Sequence, residues 1–312
     1  MDSLPEHESI QSTEAEVAAL EEQLAAAKAR LRAHKNQLNG TEVTTIPERP
    51  KDSLSFASPS TLPANHYLLL LSDSALPLGS FAFSSGLESY LAHTPRNRSS
   101  FSVFLPESLS SYASTTLPFV LAAWRDPASV ADLDDHLDAT IICTVGRRAS
   151  VAQGRALMSI WERSFSQSLP KDAVETLRPY AAQLRSTSWA TTPAPSSSDA
   201  GPADDPDVPL VHAHLGPLFG AVARLVGLTL RQAAYVFMLS HVKALVSAAV
   251  RASMFGPYQA QKVLGSVEVQ RLITHVIDRE WETQVEEASQ TMPVMDLWFG
   301  RHELLYSRIF NS

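Results

Sequence analysis

From residue 65 onward, apolar positions recur every three or four residues, the repeat of helices that bury one face. An earlier run, residues 13–38, is patterned differently. Thr13 and Glu16 form a capping box, and Val17, Leu20, Leu24, Ala27, Leu31, His34 and Leu38 then make an a/d heptad seam. This predicts an appended, partly disordered helix over 1–38, too short to be stable alone. Residues 39–63, with Pro47, Pro50, Pro59 and Pro63 among Ser and Thr, read as a linker.

The body then opens on Leu68–Leu71, an apolar run that gives way to Ser72, Asp73, Pro77, Gly79, Phe81 and Phe83. Pro and Gly break regular structure, so this is a shaped loop. Ser85 to Glu88 fits a capping box that restarts the helix. Ser129 with Asp132 predicts a helix burying Val130, Leu133, Leu137, Ile141 and Val145, with Cys143 on its apolar side. Further helices are predicted over 147–165, over 171–186 with Pro179 kinking or splitting it, and over 214–226. Thr229 and Gln232 cap a long apolar helix to about Phe255. Pro257 starts another, bent at Gly265 and running to about Glu282. The last spans Pro293 to Phe310. Residues 187–210, rich in Pro, Ser and Asp, form a disordered loop inside the body. No alternating strand pattern appears. The expectation is an all-α fold: one helical-bundle domain over 64–312.

Charge and composition narrow the function. A net charge of −8 argues against nucleic acid as partner. Cys143, the one cysteine, allows neither a disulfide framework nor a cysteine-rich metal site. The segment 233–255 carries His241, Lys243 and Arg251, which favours a buried core helix over a membrane span. The first ten residues lack the basic and apolar regions of a signal peptide, and the cytoplasm is the expected compartment.

Candidate chemistry is sparse. His302-Glu303-Leu304-Leu305-Tyr306 begins like a zinc-protease HExxH motif, but Tyr306 stands where the second histidine is needed. Asp134, Asp135 and Asp138 match DDxxD, with which all-α isoprenoid enzymes hold magnesium; that enzyme is the alternative reading. No second aspartate-rich segment follows. His212 and His214 offer two imidazoles, too few for a strong metal site. No Walker motif and no Gly-x-Ser-x-Gly elbow occurs. A scaffold without catalysis, stable cofactor or metal site is expected.

Four stretches, in order, carry a family resemblance. Leu71 to Phe81, followed by Ser84 and Gly86-Leu87-Glu88, resembles the signature of the urease accessory protein UreF family. Arg148-Ala149-Ser150-Val151-Ala152-Gln153-Gly154 is similar to its Arg-x-Ser-x-x-Gln-Gly helix, and His214 to Gly220 to its His-x-x-x-Phe-Gly segment. His302 to Phe310 looks like its C-terminal tail. Residues 1–63 and 187–210 have no counterpart in the compact form and suit a eukaryotic, fungal member. The resemblance implies an all-α homodimer without catalysis of its own. It also implies binding to UreD (UreH in some species) and recruitment of the GTPase UreG to apo-urease. Nickel is then loaded into a carbamylated active site. The partner-facing residues it implies are Ser72, Asp73, Pro77, Gly79, Phe81, Glu88, His302, Glu303, Tyr306, Arg308 and Phe310. In the family the tail orders on UreD binding, and the positions of Phe81 and Arg308 face UreG. Many members carry Tyr where Phe81 stands, so no hydroxyl is offered there. Arg148, Gln153, Gly154, Gly216 and Gly220 are expected to be structural, with Arg148 and Gln153 holding the Ser72 to Gly86 loop.

Overall fold

The computed structural model describes residues 63–95, 97–190 and 211–311, together with residues 24, 26–28 and 30. The chain divides into two units, residues 1–57 and 58–312. Of the first, Leu24, Ala26, Ala27, Lys28 and Arg30 are helical and exposed. The rest of the heptad seam, the linker up to residue 62 and residues 191–210 of the expected loop lie outside the described residues, whereas residues 187–190 of that loop are helical.

The second unit is all-α. Its helices are α1 (Pro63–Ser72), α2 (Leu87–His93), α3 (Phe101–Arg125), α4 (Val130–Thr140), α5 (Thr144–Arg163), α6 (Lys171–Ala190), α7 (Leu215–Leu225), α8 (Leu230–Arg251), α9 (Pro257–Leu264), α10 (Val267–Arg279) and α11 (Pro293–Arg301). No strand occurs among the described residues. Helix α7 is buried around its whole circumference from Leu215 to Ala223, as a helix apolar on every side must be. It lies against α3, α5 and α8, and α3 also packs on α8 and α10. Helix α8 alone among the described helices is long and apolar enough to cross a membrane, and half its residues, including Phe237, Met238 and Leu245, are buried in this bundle.

Several local expectations change. Thr229 caps α8 through Gln232, and Pro257 opens α9, as predicted. Pro63, expected in the linker, opens α1. Helix α6 passes through Pro179 without ending, because Leu177, Tyr180 and Ala181 are buried and packing outweighs the lost backbone bond. The expected helix through Val145 stops at Thr140. Ser129 stands at its N-cap as predicted but makes no side-chain capping bond, and Asp126, accepting from the Ala128 amide, caps the short 3-10 turn Pro127–Ser129 that leads into it. Cys143 therefore sits half-buried before α5 instead of in the core. At Gly265 the chain does not bend within one helix. Ser266 caps a new helix, accepting from the Val269 amide.

The core holds one titratable group that constrains pH stability. His241 lies between α8 and α3, its Nε2 3.0 Å from the Ser108 hydroxyl and its ring stacked 4.1 Å from Tyr112. Burial pulls its pKa from 6.5 down to about 3. The unfolded chain thus binds a proton near pH 6.5 that the folded chain refuses until about pH 3. Stability is full above pH 6.5 and falls by ~1.4 kcal/mol per unit as the pH drops below it. Urea melts of wild type and His241→Gln between pH 7.5 and 5 should differ by that slope; equal slopes would refute it.

Candidate functional site

The loop between α1 and α2 is set by local chemistry. Asp73 Oδ1 accepts from the Ala75 amide at 2.9 Å, closing an Asx turn. Gly79, at φ 74°, turns the chain into a short 3-10 turn over Ser80–Ala82. Ser84 Oγ accepts from the Glu88 amide at 3.3 Å and so starts α2. The predicted Ser85 capping box is not formed. Ser85 and Gly86 are both left-handed, at φ 50° and 83°, and the Glu88 carboxylate turns away from the helix start. A Cβ on Gly86 would lie 3.1 Å from Trp298 Cβ, so α11 also requires glycine there. Helix α8 pins the loop at both ends: Lys243 Nζ donates to the Ser72 carbonyl and Arg251 to the Phe81 carbonyl.

The tail meets this loop. Helix α11 ends at Arg301, His302–Leu304 form a 3-10 turn, and the chain to Asn311 is irregular. The expected helix to Phe310 fails because its last amides have another acceptor. Glu88 Oε1 accepts from the Ile309 amide at 2.6 Å, and Oε2 from the Phe310 amide at 3.3 Å and from His302 Nε2 at 3.0 Å. His302 is fully buried and its Nδ1 has no partner, so the ring proton sits on Nε2, facing Glu88. The Asn311 amide donates to the Ala82 carbonyl at 2.8 Å. Phe310 is buried with the Arg251 guanidinium 4.2 Å above its ring.

Around this junction the side chains stand in solvent. Phe81, Leu304, Tyr306 and Ile309 are exposed, an apolar set of the kind that marks interaction sites. Arg308 reaches Glu303 at 3.0 Å, and Arg148 reaches the same carboxylate. The Arg148 hydrogen bond, with Arg308 beside it, holds the Glu303 carboxyl below its usual range. Arg148 therefore binds the tail, not the Ser72 to Gly86 loop. Gln153 donates to Ala149 in its own helix and lines the cavity of about 160 Å³ beneath the loop, with Ser72, His241 and Lys243. Of the loop residues, Ser72 is half-buried against α8, whereas Asp73 and Pro77 face solvent.

The three structural glycines sit at close approaches. Added Cβ atoms would lie 1.9 Å from the Ala213 carbonyl oxygen at Gly154 and 2.1 Å from that of Val120 at Gly220, and Gly216 has Thr116 Cγ2 at 2.8 Å.

The aspartates do not gather around an ion. Asp134 is fully buried and accepts from the amides of His212, Ala213 and His214 at 2.6, 3.1 and 2.5 Å. Asp135 faces solvent. Asp138 pairs with Arg147 and with His214 Nε2 at 2.9 Å. Burial pushes the Asp138 carboxyl up, but the His214 and Arg147 hydrogen bonds outweigh it and hold it below the usual range. The magnesium reading loses its ligands to these internal bonds. Among the described residues no group of three His, Cys, Asp or Glu side chains converges on one point.

Sequence reasoning missed Lys243 and Arg251 as parts of the site. They were legible as cations on a long apolar helix, where charge needs a partner.

Fold and site define the class: an all-helical protein whose distinctive surface is a loop clamped to a tail, ringed by exposed aromatic and arginine side chains. The UreF family model matches residues 96–268, and the chain belongs to the UreF family. A protein of Schizosaccharomyces pombe described as an uncharacterized urease accessory protein UreF-like is 36% identical over 79% of this chain and 97% of its own length. Urease accessory protein F of Oryza sativa is 30% identical over 77% of this chain and 82% of its own. Urease accessory protein 6 of Cryptococcus neoformans is 26% identical over 79% and 96%.

Proposed function

We propose that the protein is a non-catalytic urease maturation factor. It acts as a cytoplasmic homodimeric scaffold that, with UreD, recruits the GTPase UreG to apo-urease for nickel insertion into the carbamylated active site. Nickel is cargo of the complex on this reading, with no metal held stably by this chain. Family membership supports it, since the curated relatives carry the name urease accessory protein. The observation that carries it is the loop–tail junction, where Phe81 on the loop and Tyr306 and Arg308 on the tail bonded to it are exposed side chains of the hot-spot type. Arg308 brings a rigid fork of donors suited to a carboxylate or phosphate.

The test is capture of UreD and UreG orthologues by the full chain, with urease activity in a deletion strain as readout. Full activity in the deletion strain would end the proposal. Phe81→Ala and Arg308→Ala are each expected to weaken UreG capture at least about fivefold, or ~1 kcal/mol, with the melting temperature unchanged. Neither side chain supports the core, so unchanged capture by both would remove them from the interface.

A further inference from the structure

Glu88 was expected to meet partners directly. Its side chain is only 11% exposed and both oxygens are taken by the protein itself. All three donors it receives come from the tail: two backbone amides and one buried imidazole. Phe310 is also buried, the Asn311 amide bonds the Ala82 carbonyl and Arg148 pairs with Glu303, but none of these contacts takes the Ile309 or Phe310 amide. Within the tail, the Leu305 amide bonds to the His302 carbonyl, and Arg308 forms a surface ion pair with Glu303, the kind that contributes little.

The tail and the loop are moreover physically one unit. Arg251 bonds the Phe81 carbonyl and lies over the Phe310 ring, and the Ala82 carbonyl accepts from Asn311. If the tail leaves, Arg251 loses the ring beneath it and the turn carrying Phe81 loses its Asn311 bond. The loop that carries Phe81 and the tail that carries Arg308 are then no longer joined.

We infer that Glu88 is a positioning residue, the clamp that couples the Phe81 loop to the tail, so that Phe81, Tyr306 and Arg308 meet a protein partner as one surface only while Glu88 holds the Ile309 and Phe310 amides. This rests on the scaffold reading for the identity of the partner. The clamp itself stands on geometry. Its loss spares the bundle, because the contacts of α7 with α3 and α8 do not involve it. Local release at the energy of a docked segment, below global unfolding, is the ordinary behaviour of such an element.

The experiment uses the full chain with UreD and UreG orthologues as probes. It reads amide hydrogen exchange over residues 302–311, melting temperature and UreG capture together. Glu88→Ala should raise exchange at Ile309 and Phe310 at least tenfold, leave the bundle's melting transition in place and reduce capture about as far as Arg308→Ala does. Glu88→Gln, which keeps one acceptor oxygen, should restore part of both the protection and the capture. Arg251→Met separates the clamp from general damage at Glu88: it should keep the protection at Ile309 and weaken capture through Phe81. Fast exchange with wild-type capture in Glu88→Ala would overturn the coupling, and unchanged exchange would overturn the clamp. If wild-type protein captures no UreG, the scaffold reading falls and takes the partner with it, while the exchange result still decides the clamp.

Discussion

Gly220→Ala is expected to destabilise the protein by at least about 3 kcal/mol, a loss far larger than one methyl group ordinarily brings. The new Cβ would sit 2.1 Å from the Val120 carbonyl oxygen and 3.0 Å from its carbon. These are backbone atoms of α3, and they cannot rotate away as a side chain would. Helices α3 and α7 would have to separate, and the fully buried Leu117, Val120, Leu121 and Val222 would lose contact together. Alanine gains up to ~1 kcal/mol of helix propensity over glycine, which offsets only part of this. For a folded unit of roughly 250 residues the net loss corresponds to a melting temperature lower by roughly 6–12 °C. Gly300→Ala in α11 is the matched control, because nothing lies within 4 Å of its added Cβ. It should melt at or slightly above wild type. Equal melting of the two variants would show that α3 and α7 do not approach as closely as described.

The same glycines show what was legible in the chain. All-α architecture follows from periodicity alone, and signals wholly local to a helix end, such as the Thr229 and Gln232 box or Pro257, place their helices well. Where the deciding partner is far away in sequence, the same rules misplace things. The pattern through Phe310 is helical, but the Glu88 carboxylate, 222 residues earlier, takes the Phe310 amide and the helix ends at Arg301. Ser85 and Glu88 spell a capping box, yet Glu88 has a better use and Ser84 makes the bond. Pro179 argues for a break that the burial of Leu177 and Tyr180 overrides. The residues at the loop and tail were legible through the family resemblance, and the geometry brings Glu88, His302 and Phe310 together. What no pattern along the chain states is the division of labour among them. Phe81 and Tyr306 face solvent, whereas Glu88 and His302 face each other.

Asp134→Ala should cost about as much as the change at Gly220, for an electrostatic reason. The carboxylate is fully buried and is the acceptor for three successive amides, His212 to His214. These bonds fold the segment before α7 so that Ala213 adopts φ 67°, a left-handed conformation that a residue with a Cβ resists. They also hold the Ala213 carbonyl against Gly154, where no Cβ fits. Removing the acceptor leaves buried N–H groups unpaired, at ~1–3 kcal/mol each, so a total loss of at least about 3 kcal/mol is expected from denaturant melts. Asp134→Asn keeps one carbonyl oxygen but turns an amide N–H₂ toward other donors, and should fall between the two. The same geometry predicts the outcome of adding magnesium. Both Asp134 oxygens already accept from backbone amides, and Asp138 is held by Arg147 and His214. Millimolar magnesium should leave the wild-type melting temperature where it is, because binding would have to break bonds that the fold needs. A magnesium-dependent rise in melting temperature that Asp134→Asn abolishes would return these carboxylates to metal binding and withdraw their structural role.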